Sequence, residues 1–182
     1  MAKLKGTALL PAVKLVRKNR DKMEPFLDDL SRKFISQRIL SGSWYPMEDA
    51  TRLLMAVCRF YGGNPALAME MVGMYCAESD LNGVYSHLIH PGDPPRSFRR
   101  AVMLWRNYQD SGTLHFLQPD PRRPRAILRL QEYAQTIPFC ACILGMAKVV
   151  ARLTGVGEKF RIEEVRCTLR GESVCEFEST WG

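Results

Sequence analysis

From Thr7 to Tyr108 the apolar residues recur at intervals of three and four, the spacing that gives a helix one buried face. Thr7 caps a first segment carrying Leu9, Leu10, Val13 and Val16, and Lys22–Phe34 sets Met23, Phe26, Leu27, Leu30 and Phe34 on a second. Ser43-Trp44-Tyr45-Pro46 reads as a turn with proline at the first helical position, followed by a face of Ala50, Leu53, Leu54, Val57, Cys58 and Tyr61. Gly62-Gly63 ends that helix. Pro65 opens the next, with Leu67, Met71, Met74, Tyr75 and Glu78 in phase, and Asn82-Gly83 breaks it before a short helical turn near Val84 to Ile89. After the His90–Pro95 loop, Ser97–Tyr108 predicts one more helix with Ala101, Leu104, Trp105 and Tyr108 inward.

After Gly112 the pattern shortens to alternation, which predicts strands over Thr113–Leu117 and Arg125–Leu130. Pro138 then opens a helix to Thr154, apolar almost all round, as expected of an element buried across a sheet. Lys159–Leu169 and Val174–Ser179 close the chain as a hairpin around Arg170-Gly171-Glu172-Ser173. The order strand, strand, helix, strand, strand predicts an α+β fold: a helical N-terminal half packed on a small four-stranded antiparallel sheet. One domain over residues 1–182 is expected, with a basic helical arm at 1–38, a helical half at 39–110 and a sheet half at 111–182.

Charge sharpens this division. Of the formal +7, residues 1–38 hold 10 basic and 4 acidic side chains, a net of +6, and residues 39–182 hold 16 and 15, a net of +1. The arm's lysines are not interleaved with aromatics and no nucleic-acid-binding motif follows, so nucleic acid is not an expected partner. No stretch is long and apolar enough for a membrane span, and no cleavable leader is evident, which predicts a cytoplasmic protein. Phosphate loop, serine elbow and His-Glu-x-x-His are all missing from the sequence, so no enzyme is expected. His87, His90 and His115 read as solvated or packed side chains rather than ligands.

The cysteines carry more. If the last hairpin is symmetric about Gly171, Cys167 and Cys175 face each other at a Cβ separation of about 5 Å, close enough to share a tetrahedral ion. Glu164 can add a carboxylate oxygen and Cys140 a third sulfur, a donor set suited to zinc. A regular strand sends positions 164 and 167 to opposite faces, so a bulge or an early strand end is required. Buried thiols acting as small apolar side chains, or a regulatory disulfide, are the alternatives.

Pro138-Phe139-Cys140 with Gly145, then Cys167-Thr168-Leu169-Arg170-Gly171-Glu172-Ser173-Val174-Cys175-Glu176-Phe177, resembles the closing Cys-x₃-Gly-x₃-Cys-x-Phe motif of 4-vinyl reductase-like domains. That group is similar in fold to heme-NO-binding domains and to the vesicle-tethering TRAPP subunits. Lys5-Gly6, Ser43-Trp44-Tyr45-Pro46 and Leu104-Trp105-Arg106-Asn107-Tyr108 with Gly112 look like a paralogous family of myxobacteria related to the same fold. The resemblance implies a dimeric, non-catalytic ligand-sensing module acting through a separate protein partner, with zinc on Cys140, Glu164, Cys167 and Cys175. Heme is not expected, because heme-binding relatives carry a Tyr-x-Ser-x-Arg motif that this chain lacks. A small apolar or aromatic ligand would sit between helical half and sheet, among Trp44, Tyr45, Trp105, Tyr108 and Phe139. The alternative is a dimeric TRAPP-like scaffold without a bound small molecule.

Overall fold

A computed structural model describes residues 2–133 and 135–182; Met1, at the head of the basic arm, lies outside them. The elements run β1 (Lys3–Lys5), α1 (Gly6–Lys18), α2 (Arg20–Met23), α3 (Asp29–Ser36), β2 (Trp44–Pro46), α4 (Met47–Phe60), α5 (Pro65–Leu81), α6 (Pro94–Ala101), α7 (Trp105–Tyr108), β3 (Thr113–Leu117), β4 (Arg125–Gln131), α8 (Cys142–Leu153), β5 (Arg161–Arg166) and β6 (Cys175–Thr180). The α+β class holds, with two antiparallel sheets. One pairs β1 with β2; the other has the spatial order β3-β4-β6-β5.

Four expectations about local structure are corrected. The expected α5 face of Leu67, Met71 and Tyr75 is exposed, and Ala68, Met69, Gly73, Cys76 and Ala77 face the core, because α8 packs on the small-residue side of the helix. Trp44–Pro46 is a strand rather than a turn, paired with Lys3–Lys5 in the register Leu4↔Tyr45, a long-range partnership invisible to a local pattern. The apolar run Lys22–Phe34 is not one helix. Pro25 sits in a 3₁₀ turn, and Asp28 restarts the chain by accepting the Ser31 amide at 2.7 Å as the α3 cap. The expected Ser97–Tyr108 helix starts earlier, capped by Asp93 with Pro94 behind it, and tightens to a 3₁₀ turn at Val102–Leu104 before α7.

The large sheet is amphipathic in the way its alternation requires. Leu128 faces Phe177 and Leu130 faces Cys175 across β4 and β6, all buried, while Arg129 and Arg125 pair with Glu176 and Glu178 on the other face. Helix α8 covers the apolar face and α5 lies on α8. Their crossing is set by two glycines: a Cβ on Gly145 would sit 2.0 Å from the Glu70 carbonyl oxygen, and one on Gly73 2.0 Å from the Cys142 carbonyl oxygen. The two backbones therefore touch, which fixes the height of the segment just before α8. Helix α1 belongs to the same core, with Leu9, Val13 and Val16 fully buried. Among the described residues no helix is long and apolar enough to cross a membrane.

Candidate metal centre

Three pieces of chain deliver four donors to one point. Cys140 sits in the 3₁₀ turn Phe139–Ala141 that leads into α8, Glu164 lies on β5, Cys167 follows β5 directly, and Cys175 opens β6. The ladder has the irregularity that convergence needs: its register shifts between Glu164 and Arg166, turning Cys167 toward the side that Glu164 faces. One ligand atom from each of the four lies within 4.8 Å of every other. Cys140 Sγ is 3.1 Å from Glu164 Oε1 and 3.8 Å from Cys167 Sγ, and Cys167 Sγ is 4.0 Å from Cys175 Sγ. Zinc–sulfur bonds of about 2.3 Å place tetrahedral sulfurs about 3.8 Å apart, so the sulfur separations of 3.8 and 4.0 Å suit such an ion. Cys142, two positions along from Cys140, instead abuts Gly73 of α5 through its backbone.

The donors are surrounded by polar partners. Arg170 Nη1 donates to Glu164 Oε2 at 3.0 Å, the Thr168 amide to Cys175 Sγ at 3.4 Å, and the Cys140 amide to Gln135 Oε1 at 2.9 Å. Gln135 Nε2 points at Cys140 Sγ (3.1 Å), Cys175 Sγ (3.4 Å) and Cys167 Sγ (3.8 Å) and at Thr168 Oγ1 (3.1 Å). The sulfurs hold their protons unequally. Hydrogen bonding from Cys140 lowers the Cys175 thiol to about 6 against the opposing effect of burial, with the Thr168 amide and hydroxyl helping. The same hydrogen bond, together with burial, pushes Cys140 up, and burial raises Cys167. Cys76, away from this cluster, is pushed up to about 12 by burial and Asp80. Gln135, Thr168 and Arg170 were not singled out by sequence reasoning, since Gln-x₄-Cys has no recognised spacing and an arginine beside Gly171 reads as an exposed turn residue.

The five aromatic residues expected to line a ligand pocket do not meet in one cavity. Trp105 is buried, donates from Nε1 to the Ser111 carbonyl at 3.0 Å and packs edge-on against Tyr133. The Tyr108 hydroxyl donates to Asp80 and borders a separate cavity of about 110 Å³. Trp44 lies at the surface, 41% exposed, beneath the Lys5 ammonium, and the Tyr45 hydroxyl accepts from the Leu40 amide. Phe139 alone borders the groove of about 560 Å³ that runs past Gln135. Between helices and sheet, where the ligand was expected, Phe98, Ala101, Leu114, Leu128, Ile143 and Val150 close to a gap of about 20 Å³.

The sequence matches no family model and no curated protein. Solved structures give a different result. An H-NOX protein from S. oneidensis in the Fe(II)NO ligation state superposes with a TM-score of 0.71 at 13% identity, covering 98% of this chain and 99% of that one. A mutant H-NOX protein from K. algicida in the Fe(II) unliganded state gives 0.68 at 12% identity, with 98% and 97% covered. An oxygen-binding H-NOX domain related to soluble guanylate cyclases gives 0.68 at 12%, with 98% and 95% covered.

These neighbours correct the expectation that heme is out of place, since the same fold, matched end to end, is one whose described members are studied for heme distortion. One histidine has a buried, unpartnered ring nitrogen among the described residues, His90 Nε2, and desolvation, with Arg96 and Arg100 nearby, lowers its pKa from the ordinary histidine value. The His90 amide is tied to Ser97 Oγ at 2.8 Å, on the helix whose Phe98 and Ala101 line the apolar gap. The gap's lining is apolar, but His90 is not part of it and about 20 Å³ leaves no room for a porphyrin in this packing, so the side chains about the gap would have to part. Over 98% of its length the chain has the fold of the H-NOX structures, with a cysteine-rich donor cluster at the junction of its last helix and last hairpin.

Proposed function

We propose that this chain is a non-catalytic ligand-sensing regulatory module, of the 4-vinyl reductase-like type within the heme-NO-binding fold, built around a zinc centre. The observation that carries the reading is the meeting of Cys140, Glu164, Cys167 and Cys175 within 4.8 Å. A bound zinc ion supplies a closed four-coordinate cross-link. The residues do the rest: Cys140 ties the start of α8, Cys167 and Cys175 tie the two ends of the hairpin, and Glu164 is steered by Arg170. A change in one of these elements is thereby passed to the others. All six cysteines are free thiols, which suits the reducing cytoplasm inferred from the sequence. The module acts on a separate protein partner and works as a homodimer. Helix α5 leaves Leu67, Met71 and Tyr75 exposed along one stripe, an apolar surface suited to self-association.

Native mass spectrometry of the purified protein tests the centre. One zinc per chain is expected, lost in Cys140→Ser and Cys175→Ser and kept in Cys58→Ser and Cys76→Ser. Protein that stays metal-free after zinc supplementation overturns the reading. A second reading, heme on His90, is favoured by the unpartnered Nε2. Hemin titration reads it directly: a Soret band that disappears in His90→Ala supports it, and a spectrum of unbound hemin counts against it.

A further inference from the structure

Gln135 touches both the three sulfurs of the donor cluster and the groove past α4, whereas Arg170 reaches the cluster from the Glu164 side. The groove holds about 560 Å³ and is bordered by the charged Glu48 and Arg52, by Thr51 and Gln135, and by the apolar Ile137 and Phe139. Cys140, Cys167 and Cys175 themselves are buried. Half-buried Gln135 stands where groove and sulfurs meet, with its Nε2 within hydrogen-bonding reach of all three. Its Oε1 is held by the Cys140 amide, so the carboxamide has a fixed orientation, oxygen to the backbone and nitrogen to the sulfurs.

The charge of the centre gives this position chemical weight. Three thiolates and a carboxylate around a divalent cation leave two net negative charges, and Arg170 offsets one of them from the Glu164 side. On the groove side, among the described residues, the polar cover contacting all three sulfurs is the Gln135 amide. N–H donors of this kind stabilise thiolate charge, and loss of such outer partners typically weakens metal affinity about 10–100-fold. A site of net negative charge repels anions, and the groove leading to it carries paired charges, Glu48 with Arg52, beside the apolar Ile137 and Phe139, so a neutral molecule with an apolar body is the class that suits it.

We propose that the Gln135 carboxamide is the gate between this groove and the thiolate centre, and that small neutral metal-ligating molecules reach the ion along the groove and across this side chain. The proposal rests on the metal-centre reading and specifies how that centre is approached. It makes Gln135 a positioning residue, acting on the metal through the sulfurs.

Removal of the ion by the neutral chelator 1,10-phenanthroline, followed by absorbance on the zinc-loaded full chain, reads the gate. Gln135→Ala is expected to release zinc about 10-fold faster or more. Thr51→Trp, which fills the groove without touching a donor, is expected to slow release several-fold. A merely structural loss cannot produce opposite signs at these two positions. In the cobalt-substituted protein, Gln135→Ala should shift the sulfur-to-cobalt charge-transfer band to lower energy, because unhydrogen-bonded thiolate lone pairs lie higher, while Thr51→Trp leaves the band in place. Wild-type release rates and band position in Gln135→Ala, or unchanged release in Thr51→Trp, overturn the proposal. If Gln135→Ala does not fold, Gln135→Asn, whose amide is retracted by one methylene, is measured in its place with the same expected signs. A wild-type chain that takes up neither zinc nor cobalt refutes the metal centre itself, a different failure from a metal-loaded chain insensitive to Gln135.

Discussion

Gly145→Ala sets two effects of opposite sign against each other at the crossing of α5 and α8. In an isolated helix the change stabilises, by about 0.5–1 kcal/mol, because alanine has less backbone entropy to lose. Here the added methyl would lie 2.0 Å from the Glu70 carbonyl oxygen and 2.6 Å from the Met74 amide nitrogen, both backbone atoms of the facing helix. Ordinary contact begins near 3.4 Å, so the helices must separate by more than 1 Å. Overpacking of this kind costs about 1–3 kcal/mol, and a clash with backbone falls at the upper end. The net is a destabilisation of about 2 kcal/mol, which for a domain of this size lowers the melting temperature by about 4–8 °C. Thermal unfolding followed by circular dichroism measures it, with Gly42→Ala, where no atom lies within 4 Å of the added methyl, as a control expected to be near neutral. A Gly145→Ala melting temperature at or above that of the wild type would refute the backbone contact and with it the argument for how the start of α8 is held in place.

Arg170→Ala removes the donor on Glu164 Oε2 and should weaken zinc affinity about 10-fold or more in competition titrations while leaving the chain folded, and unchanged affinity would count against its role. Tyr108→Phe deletes the hydroxyl bonded to Asp80 and should cost about 1–2 kcal/mol in urea unfolding; no measurable loss would show that water replaces the hydroxyl without penalty. Light scattering should give about twice the 20.7 kDa chain mass, and a monomer at tens of micromolar would contradict the homodimer.

The fold class was legible because period 3.6 dominates before Gly112 and period 2 sets in after it, on either side of α8. The strand pair Lys3–Lys5 and Trp44–Pro46 was not, since each is three residues long and its partner is some forty residues away. The four donors were legible as residue types and as a hairpin register, and the shift at Glu164/Arg166 is the feature that turned a geometric difficulty into a site. The aromatic set failed for a physical reason: Trp105 and Tyr108 satisfy their polar atoms within the core, as buried aromatics do, and side-chain partners of that kind leave no trace in spacing. His90 read as a loop residue beside Pro91, while its amide is held by Ser97 seven positions on. Gln135 was silent because its meaning depends on three sulfurs drawn from distant parts of the chain.

The most direct test of the centre is X-ray absorption at the zinc edge on protein loaded with one equivalent of metal. A shell of three sulfurs at about 2.3 Å and one oxygen near 2.0 Å is predicted, losing one sulfur in Cys175→Ser. A shell made only of nitrogen and oxygen donors, unchanged by that substitution, would contradict the assignment of Cys140, Glu164, Cys167 and Cys175 as the ligands.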